Sequence, residues 1–79
     1  MFYYFYVLKN KYGNNKLYYG YTTDLRRRLD EHKRKSDCEL VYYEAFRSQK
    51  DAQKRERQIK DSGQARRWLK ERIENSLKG

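Results

Sequence analysis

The sequence predicts an α+β fold in which helices flank a three-stranded, largely antiparallel sheet, in the element order ββαβαα. Two runs rich in aromatic and β-branched residues, 2–8 and 17–22, surround a loop of residues 9–16 that contains glycine and asparagine, as in a β-hairpin. After the hairpin, segments with helical spacing of apolar residues alternate with one more strand-like run, residues 39–46. We expect one domain over residues 1–79.

The hairpin prediction rests on its loop and on the alternation of its strands. Gly13, Asn14 and Asn15 tolerate the left-handed backbone conformations that tight loops need. The first strand is apolar without interruption, which predicts burial on both of its faces. In each strand the even-numbered side chains share one face: Tyr4, Tyr6 and Leu8 in the first, and Tyr18, Gly20 and Thr22 in the second. The register between the two strands is left open.

Three helices follow from capping signals and apolar spacing. The first covers residues 25–33, behind Asp24 at the N-cap position. The second begins near Ser48, which with Asp51 resembles a capping box, and ends at a Ser-Gly pair after residue 61. The third covers residues 64–77. Its apolar stripe is expected to be core: Ala65, Trp68, Leu69, Ile73 and Leu77.

Composition indicates a polyanionic partner. Twenty Lys and Arg against 11 Asp and Glu give a formal net charge of +9, which favours DNA, RNA or an anionic membrane. Aromatic residues lie mainly in strands rather than on a helix face, so nucleic acid is favoured over a membrane. A merely soluble basic protein is the alternative. A single cysteine, Cys38, and the absence of an apolar run of about 18 residues predict a soluble cytoplasmic protein.

The first helix places two polar residues on its core-facing side. Leu25, Arg28, Leu29 and His32 follow the i, i+3, i+4, i+7 spacing of one helix face. An arginine there is commonly a surface residue or an ion-pair partner, and a histidine is commonly a hydrogen-bonded core residue; either can also serve a polar site. The solvent side carries four basic residues that we expect to contact nucleic acid: Arg26, Arg27, Lys33 and Arg34.

The second helix places a carboxylate between its apolar residues. Glu56 lies on nearly the same side as Ala52 and Ile59. Burial of an unpaired carboxylate costs several kcal/mol. Two interpretations stay open, a salt bridge to an arginine such as Arg28 or a ligand for a hard divalent cation such as Mg²⁺. The candidates could converge on one phosphate-binding pocket, although each tyrosine taken singly is typical of packing: Tyr6, Tyr18, Arg28, His32 and Glu56.

These positions resemble the GIY-YIG nuclease family, and its small single-domain bacterial members in particular. The likeness covers nearly the whole chain and is most specific in residues 17–32. The matching motifs are Tyr4-Phe5-Tyr6, Tyr18-Tyr19-Gly20, Arg28 within DLRRRLDEH, and Glu56 within KRERQIK.

The resemblance implies an endonuclease that cuts phosphodiester bonds with one divalent metal ion, Mg²⁺ or Mn²⁺. It implies that Glu56 holds this ion and that Arg28 stabilises charge developing on the phosphate. Tyr6 and Tyr18 would activate or position the attacking water or orient the phosphate. His32, one turn after the arginine, would act as a general base or positioning residue.

Other positions of the family pattern are structural or depart from it. Gly20 would let the backbone pass close to the first helix. Tyr4 stands in place of the first motif glycine, and Tyr21 stands where relatives often carry lysine. The asparagine that many active members carry after the glutamate helix has no convincing counterpart; Gln64 is a candidate, and Asn75 is too distant.

Three functions stay open. The first is a metal-dependent endonuclease that cuts DNA, with RNA as the less favoured substrate and DNA repair as the expected setting. The second is a catalytically weak or inactive nucleic-acid-binding module on the same fold. The third is an adaptor whose aromatic surface docks a repair or ribosomal protein. Seventy-nine residues leave no room for a recognition domain, so specificity would come from a protein partner or substrate shape, or be low. Oligomeric state is left open.

Overall fold

The computed structural model describes residues 1–12, 16–35 and 37–78. The predicted loop residues Gly13, Asn14 and Asn15 and the predicted connection residue Ser36 lie outside these ranges. The elements are β1 (Tyr3–Asn10), β2 (Leu17–Thr22), α1 (Leu25–Lys35), β3 (Cys38–Phe46), α2 (Gln49–Asp61), α3 (Gly63–Arg72) and α4 (Glu74–Lys78). The predicted α+β class and element order are confirmed, with the third predicted helix divided in two.

The sheet has the order β2-β1-β3, and both neighbouring pairs are antiparallel. The central strand β1 has a neighbouring strand at each edge and packs against helix residues on each face, and its four residues 5–8 are all buried. This confirms the prediction for the first strand. The hairpin register pairs Tyr6 with Gly20 and Leu8 with Tyr18. Cross-strand partners point to the same side, so these four side-chain positions share one face of the sheet.

The two faces of the sheet carry separate apolar clusters, because successive residues of β1 point in opposite directions. Phe5 and Val7 pack with residues of α2, α3 and the turn that follows, including Ile59, Leu69 and Ile73. On the other face, Tyr6, Leu8 and Cys38 pack with Leu25, Leu29 and Leu40. Helix α1 therefore covers the Tyr6 face, and the later helices cover the Phe5 face.

The predicted third helix is wrong in two respects. A turn at Ile73 separates α3 from α4, and Trp68 is 60% exposed rather than part of the core. Steps of four residues advance about 40° around an α-helix, so the buried side moves away from Trp68 between Ala65 and Leu69. Trp68 lies about 60° to the other side of Ala65 and faces solvent.

The helix caps agree with the sequence at one of two predicted sites. Asp24 caps α1, since its Oδ1 accepts a hydrogen bond from the Arg27 N–H at 3.1 Å. Ser48 occupies the N-cap position of α2 but makes no side-chain cap hydrogen bond, so the predicted capping box is wrong. A capping box uses Glu or Gln to reach back to the N-cap, and Asp51 is one methylene shorter than Glu.

Candidate active site

Tyr6 lies at the centre of the candidate site. It projects from β1 toward α1, and the residue is only 5% exposed. Its hydroxyl lies 3.4 Å from Nε2 of His32, and the two rings meet edge to face with centroids 6.0 Å apart. The histidine predicted to share the core-facing side of the first helix is therefore brought to the hydroxyl of a motif tyrosine.

Gly20 makes room for the ring of Tyr6. A Cβ atom on Gly20 would lie 2.9 Å from Cε2 of Tyr6, and closer still to Cζ and the hydroxyl oxygen. The three nearest atoms all belong to Tyr6, and the close passage of the backbone to the first helix stays a prediction. Because Gly20 has no side chain, the ring of Tyr6, its partner across the hairpin, can lie over the backbone of β2.

The charges of Arg28 and Glu56 both act on the Tyr6 hydroxyl. Burial is the main cause that raises the pKa of Tyr6 above 10.0. The positive charge of Arg28 lowers this pKa, and the negative charges of Glu56 and Glu31 raise it. Side chains from β1, α1 and α2 are thus within electrostatic reach of one hydroxyl. At neutral pH the Tyr6 hydroxyl keeps its proton and is available to donate a hydrogen bond.

Glu56 is less buried than its place between apolar residues predicts. Its side chain is 26% exposed, and its carboxylate lies 3.6 Å from Nζ of Lys60. The ion pair that Arg28 forms among the described residues is with Glu31, at 3.7 Å. Of the two interpretations left open for Glu56, the salt bridge to Arg28 is therefore not formed. Both Glu56 and Arg28 keep partly exposed side chains that a phosphate or a cation could reach.

Glu31 lies at the candidate site although the sequence analysis did not single it out. It pairs with Arg27 at 3.4 Å as well as with Arg28, and its charge acts on Tyr6. Its spacing of three and four residues after these arginines was the available signal. The pair of Glu31 with Arg28 is solvent-exposed, and such a pair contributes about 0–1 kcal/mol to stability.

Tyr18 lies on the Tyr6 face at the edge of the site. The residue is 38% exposed, and Nζ of Lys16 lies 5.4 Å from the centroid of its ring. The described contacts thus join Tyr18 to Lys16 rather than to Tyr6. All four basic residues predicted to contact nucleic acid are exposed on α1: Arg26, Arg27, Lys33 and Arg34.

The two tyrosines that depart from the family pattern have other contacts. The hydroxyl of Tyr21 accepts a hydrogen bond from Nε2 of Gln49 at 2.7 Å, which joins β2 to the start of α2. Tyr4 packs edge to face against Tyr43 of β3, with centroids 5.9 Å apart. Both departures therefore contribute to contacts between elements around the site.

Comparison with known proteins shows the family of this chain. The model of the GIY-YIG catalytic domain matches residues 2–71. The chain belongs to the GIY-YIG family. It is 37% identical over 67 residues to a UPF0213 protein of Pediococcus pentosaceus, a match that covers 73% of this chain and 68% of that protein.

A solved relative shares the GIY-YIG fold seen here. The solution NMR structure of a UPF0213 protein from Bacillus halodurans superimposes with a TM-score of 0.61 at 30% sequence identity. The superposition covers 87% of this chain and 82% of that chain. Family membership supports an endonuclease-type function, because GIY-YIG nucleases act on nucleic acid and generally use divalent metal ions.

The residues around Glu56 suit a metal ion that keeps most of its water. Within residues 1–12, 16–35 and 37–78, no group of three or more His, Cys, Asp or Glu side chains could together hold an ion. Magnesium is commonly bound through one or two carboxylates, with waters and substrate phosphate oxygens as its other ligands. Glu56 fits this mode as a partly exposed carboxylate.

No helix among the described residues is long and apolar enough to span a membrane.

Proposed function

We propose that this GIY-YIG protein is a metal-dependent endonuclease-type phosphodiesterase that cuts DNA rather than RNA, in a single domain over residues 1–79. One observation carries the proposal: the hydroxyl of buried Tyr6 lies 3.4 Å from Nε2 of His32, and the charges of both Arg28 and Glu56 act on its pKa. These residues come from three different elements. Metal-assisted hydrolysis of a phosphodiester bond uses a proton acceptor, a cation and a metal ligand. His32, Arg28 and Glu56 would take these three roles.

Tyr6 and His32 would form a proton relay. Tyr6 takes a proton from the attacking water while its own hydroxyl proton passes to Nε2 of His32. The resulting hydroxide attacks phosphorus, the bond from phosphorus to the leaving oxygen breaks, and that oxygen takes a proton from solvent. The raised pKa of Tyr6 fits this role, because the phenol starts protonated and depends on His32 to accept its proton.

Arg28, Tyr18 and Glu56 would surround the phosphate. The guanidinium of Arg28 stabilises negative charge on the phosphate oxygens as the water attacks. Tyr18, partly exposed on the same face, orients the phosphate or the water. Glu56 would hold the divalent ion, Mg²⁺ or Mn²⁺, which supplies charge stabilisation to the phosphate and the leaving oxygen. Lys60 then has to release the Glu56 carboxylate that it pairs with.

The exposed basic side of α1 would position the DNA. Arg26, Arg27, Lys33 and Arg34 are exposed on the same helix as Arg28 and His32. Contacts from such residues to phosphates fix the position of a nucleic acid without reading its sequence. Selectivity would then come from the shape of the substrate or from a protein partner, in a cytoplasmic setting such as DNA repair.

Nicking of supercoiled plasmid tests the proposal. We expect cutting with Mg²⁺ or Mn²⁺ and none with a chelator, and we expect Glu56→Gln and Arg28→Ala to abolish it. Glu71→Gln is the matched control, because Glu71 forms an i,i+4 ion pair with Arg67 at the same 3.6 Å as Glu56 with Lys60. Activity that persists in both site variants would be contamination, and the proposal would fail.

Metal binding can be tested without activity. In the NMR spectrum, Mn²⁺ should broaden resonances of Glu56 and Tyr6 in the wild type and spare them in Glu56→Gln. Broadening centred on Glu71 or Glu74 instead would assign the ion to a surface carboxylate and remove Glu56 from its proposed role.

A nucleic-acid-binding module that does not cut is the second candidate. The observation in its favour is that Glu56 is already paired with Lys60 and, among the described residues, belongs to no group of three or more His, Cys, Asp or Glu side chains that could hold an ion. Such a module would bind DNA with a steep salt dependence from counterion release, and no metal would produce a nick.

A further inference from the structure

A basic pocket lies on the sheet face opposite to Tyr6. It has a volume of about 550 Å³. Lys9, Leu17 and Tyr19 are odd-numbered strand residues, so they point away from the face that carries Tyr6 and Gly20. The complete lining is Lys9, Lys16, Leu17, Tyr19, Arg66, Lys70 and Leu77. The proposed cleavage reaction uses none of these residues.

The lining combines four cations with one aromatic ring, and no Asp or Glu is among these described residues. The ring of Tyr19 is nearly parallel to the ring of Phe5, with an angle of 5° between the planes and centroids 6.4 Å apart, and Tyr19 also lines the pocket. The positive charge of Arg66 acts on Tyr19 and opposes the rise in the pKa of Tyr19 that burial causes. Cationic grooves with aromatic side chains are the usual surface for single-stranded nucleic acid.

Two of the cations are held in place by backbone carbonyls. Nη1 of Arg66 donates hydrogen bonds to the carbonyl oxygens of Ile59 at 2.9 Å and Lys60 at 2.6 Å, at the end of α2. Nζ of Lys9 donates to the carbonyl oxygen of Leu77. Neither pairing neutralises the charge, so the pocket keeps a preorganised positive potential.

Lys16 joins this pocket to the candidate active site. It lines the pocket, and its Nζ also lies 5.4 Å from the ring centroid of Tyr18 on the other face. β2 is an edge strand, so the two faces of the sheet meet at its open edge. A flexible single strand of nucleic acid could therefore pass from Tyr18 around the edge of β2 at Lys16. A duplex is too stiff for this path, since its persistence length is about 150 base pairs.

The surface next to the pocket, toward the end of α3, carries acidic as well as basic side chains. A neighbouring cavity shares Arg66 and Lys70 but is also lined by Glu71 and Glu74. Arg67, which lines it too, is paired with Glu71 at 3.6 Å. The bound segment would therefore occupy the pocket itself and not the full length of α3.

We propose that the pocket formed by Lys9, Lys16, Tyr19, Arg66 and Lys70 binds a single-stranded segment of the nucleic acid whose cleavable part lies at Tyr6. The proposal rests on the proposed function for the identity of the substrate. Phosphates contact the four cations, and a base stacks on Tyr19. The protein thereby prefers substrates in which a single strand adjoins the position of cutting.

Metal-free binding, measured by fluorescence anisotropy with a chelator present, tests the proposal. The probes are a blunt DNA duplex and the same duplex with a single-stranded thymidine tail. The pocket variant is Lys16→Ala with Lys70→Ala, since both residues are exposed and substitution spares the carbonyl contacts of Lys9 and Arg66. The control is Lys50→Ala with Lys54→Ala, which removes the same charge from exposed positions of α2 outside this pocket.

We expect the wild type and the control to bind the tailed probe more tightly than the blunt one, and the pocket variant to lose this preference. Each single-strand phosphate contact contributes about 0.7 to the slope of log K against log salt, so the slope for the tailed probe should fall by about 1.4 in the pocket variant. Equal losses in the pocket variant and the control would overturn the proposal.

A titration with short oligothymidylate gives a second measurement. NMR shifts should appear at Leu17, Tyr19 and Leu77, and shifts confined to the Tyr6 face would contradict the proposal. Cleavage assays separate the two hypotheses. If the protein never cuts but the tail preference depends on Lys16 and Lys70, the proposed function fails and the pocket is supported. If it cuts but has no tail preference, the pocket proposal alone fails.

Discussion

The Tyr6 hydroxyl and Nε2 of His32 lie 3.4 Å apart although 26 residues separate them in the chain. The contact links the central strand of the sheet to the helix that covers it. Burial raises the pKa of Tyr6, so the phenol is protonated and can donate toward the imidazole. The two side chains therefore constitute one hydrogen-bonded unit at the candidate site.

If Tyr6 and His32 act as one relay, their substitutions will not be additive. Tyr6→Phe and His32→Ala should each lower the nicking rate about 10²- to 10⁴-fold, and the double variant should lose no more than the worse single variant. Tyr12→Phe, at an exposed position, should leave the rate unchanged. Single-turnover kinetics measure these rates. Losses that multiply in the double variant would show that the two residues act independently.

Buried tyrosines make the fold sensitive to high pH. The pKa values of Tyr6, Tyr19 and Tyr42 are all raised above 10.0, with burial as the largest cause. Above that pH the unfolded chain loses these protons first and so binds fewer protons than the folded chain. The contribution of these three groups to the free energy of unfolding is therefore fully present below pH 10.0 and is lost as the pH rises through their folded-state pKa values.

Urea denaturation at a series of pH values measures this loss of stability. Tyr42→Phe should make the decline shallower than in the wild type, because one of the three raised groups is removed. Its hydroxyl donates to Glu44 at 2.8 Å, and this hydrogen bond also raises the pKa of Tyr42. An identical decline in both proteins would contradict the assignment.

Gly20→Ala should disturb both stability and activity. The new Cβ would overlap the Tyr6 ring, and overpacking of this kind costs about 1–3 kcal/mol. Gly63→Ala is the matched control, since its Cβ would meet Nη2 of Arg66 at an ordinary 3.6 Å. Thermal unfolding and nicking rates measure the two effects. Combining Gly20→Ala with Tyr6→Leu should recover stability but not activity; failure to recover stability would place the clash elsewhere.

The two predicted N-caps should differ in their contribution to stability. Asp24→Ala removes the hydrogen bond to the Arg27 N–H and should lower the free energy of unfolding by about 1 kcal/mol. Ser48→Ala removes no cap hydrogen bond and should change it by less than about 0.5 kcal/mol. Chemical denaturation compares them. Equal costs would mean that the Ser48 hydroxyl caps α2 in solution.

The local elements were predictable because their signals lie within a few residues of each other. Asp24 and the spacing of Leu25 and Leu29 are sufficient for α1 and its orientation toward the sheet. Trp68 shows where this reasoning fails. Its spacing of three residues from Ala65 is typical of one helix face. The buried side of α3, however, runs from Ala65 to Leu69 and leaves Trp68 60% exposed.

The sequence by itself determined the order of elements, the strand faces, the basic charge and the residue types available for chemistry, because alternation, helical spacing and composition are local properties. Only the tertiary structure decided that Tyr6 lies over Gly20, that the Tyr6 hydroxyl lies beside His32, and that a basic pocket stands behind the sheet. These facts depend on strand register and on which helix covers which face. Both are set by packing between residues far apart in the chain.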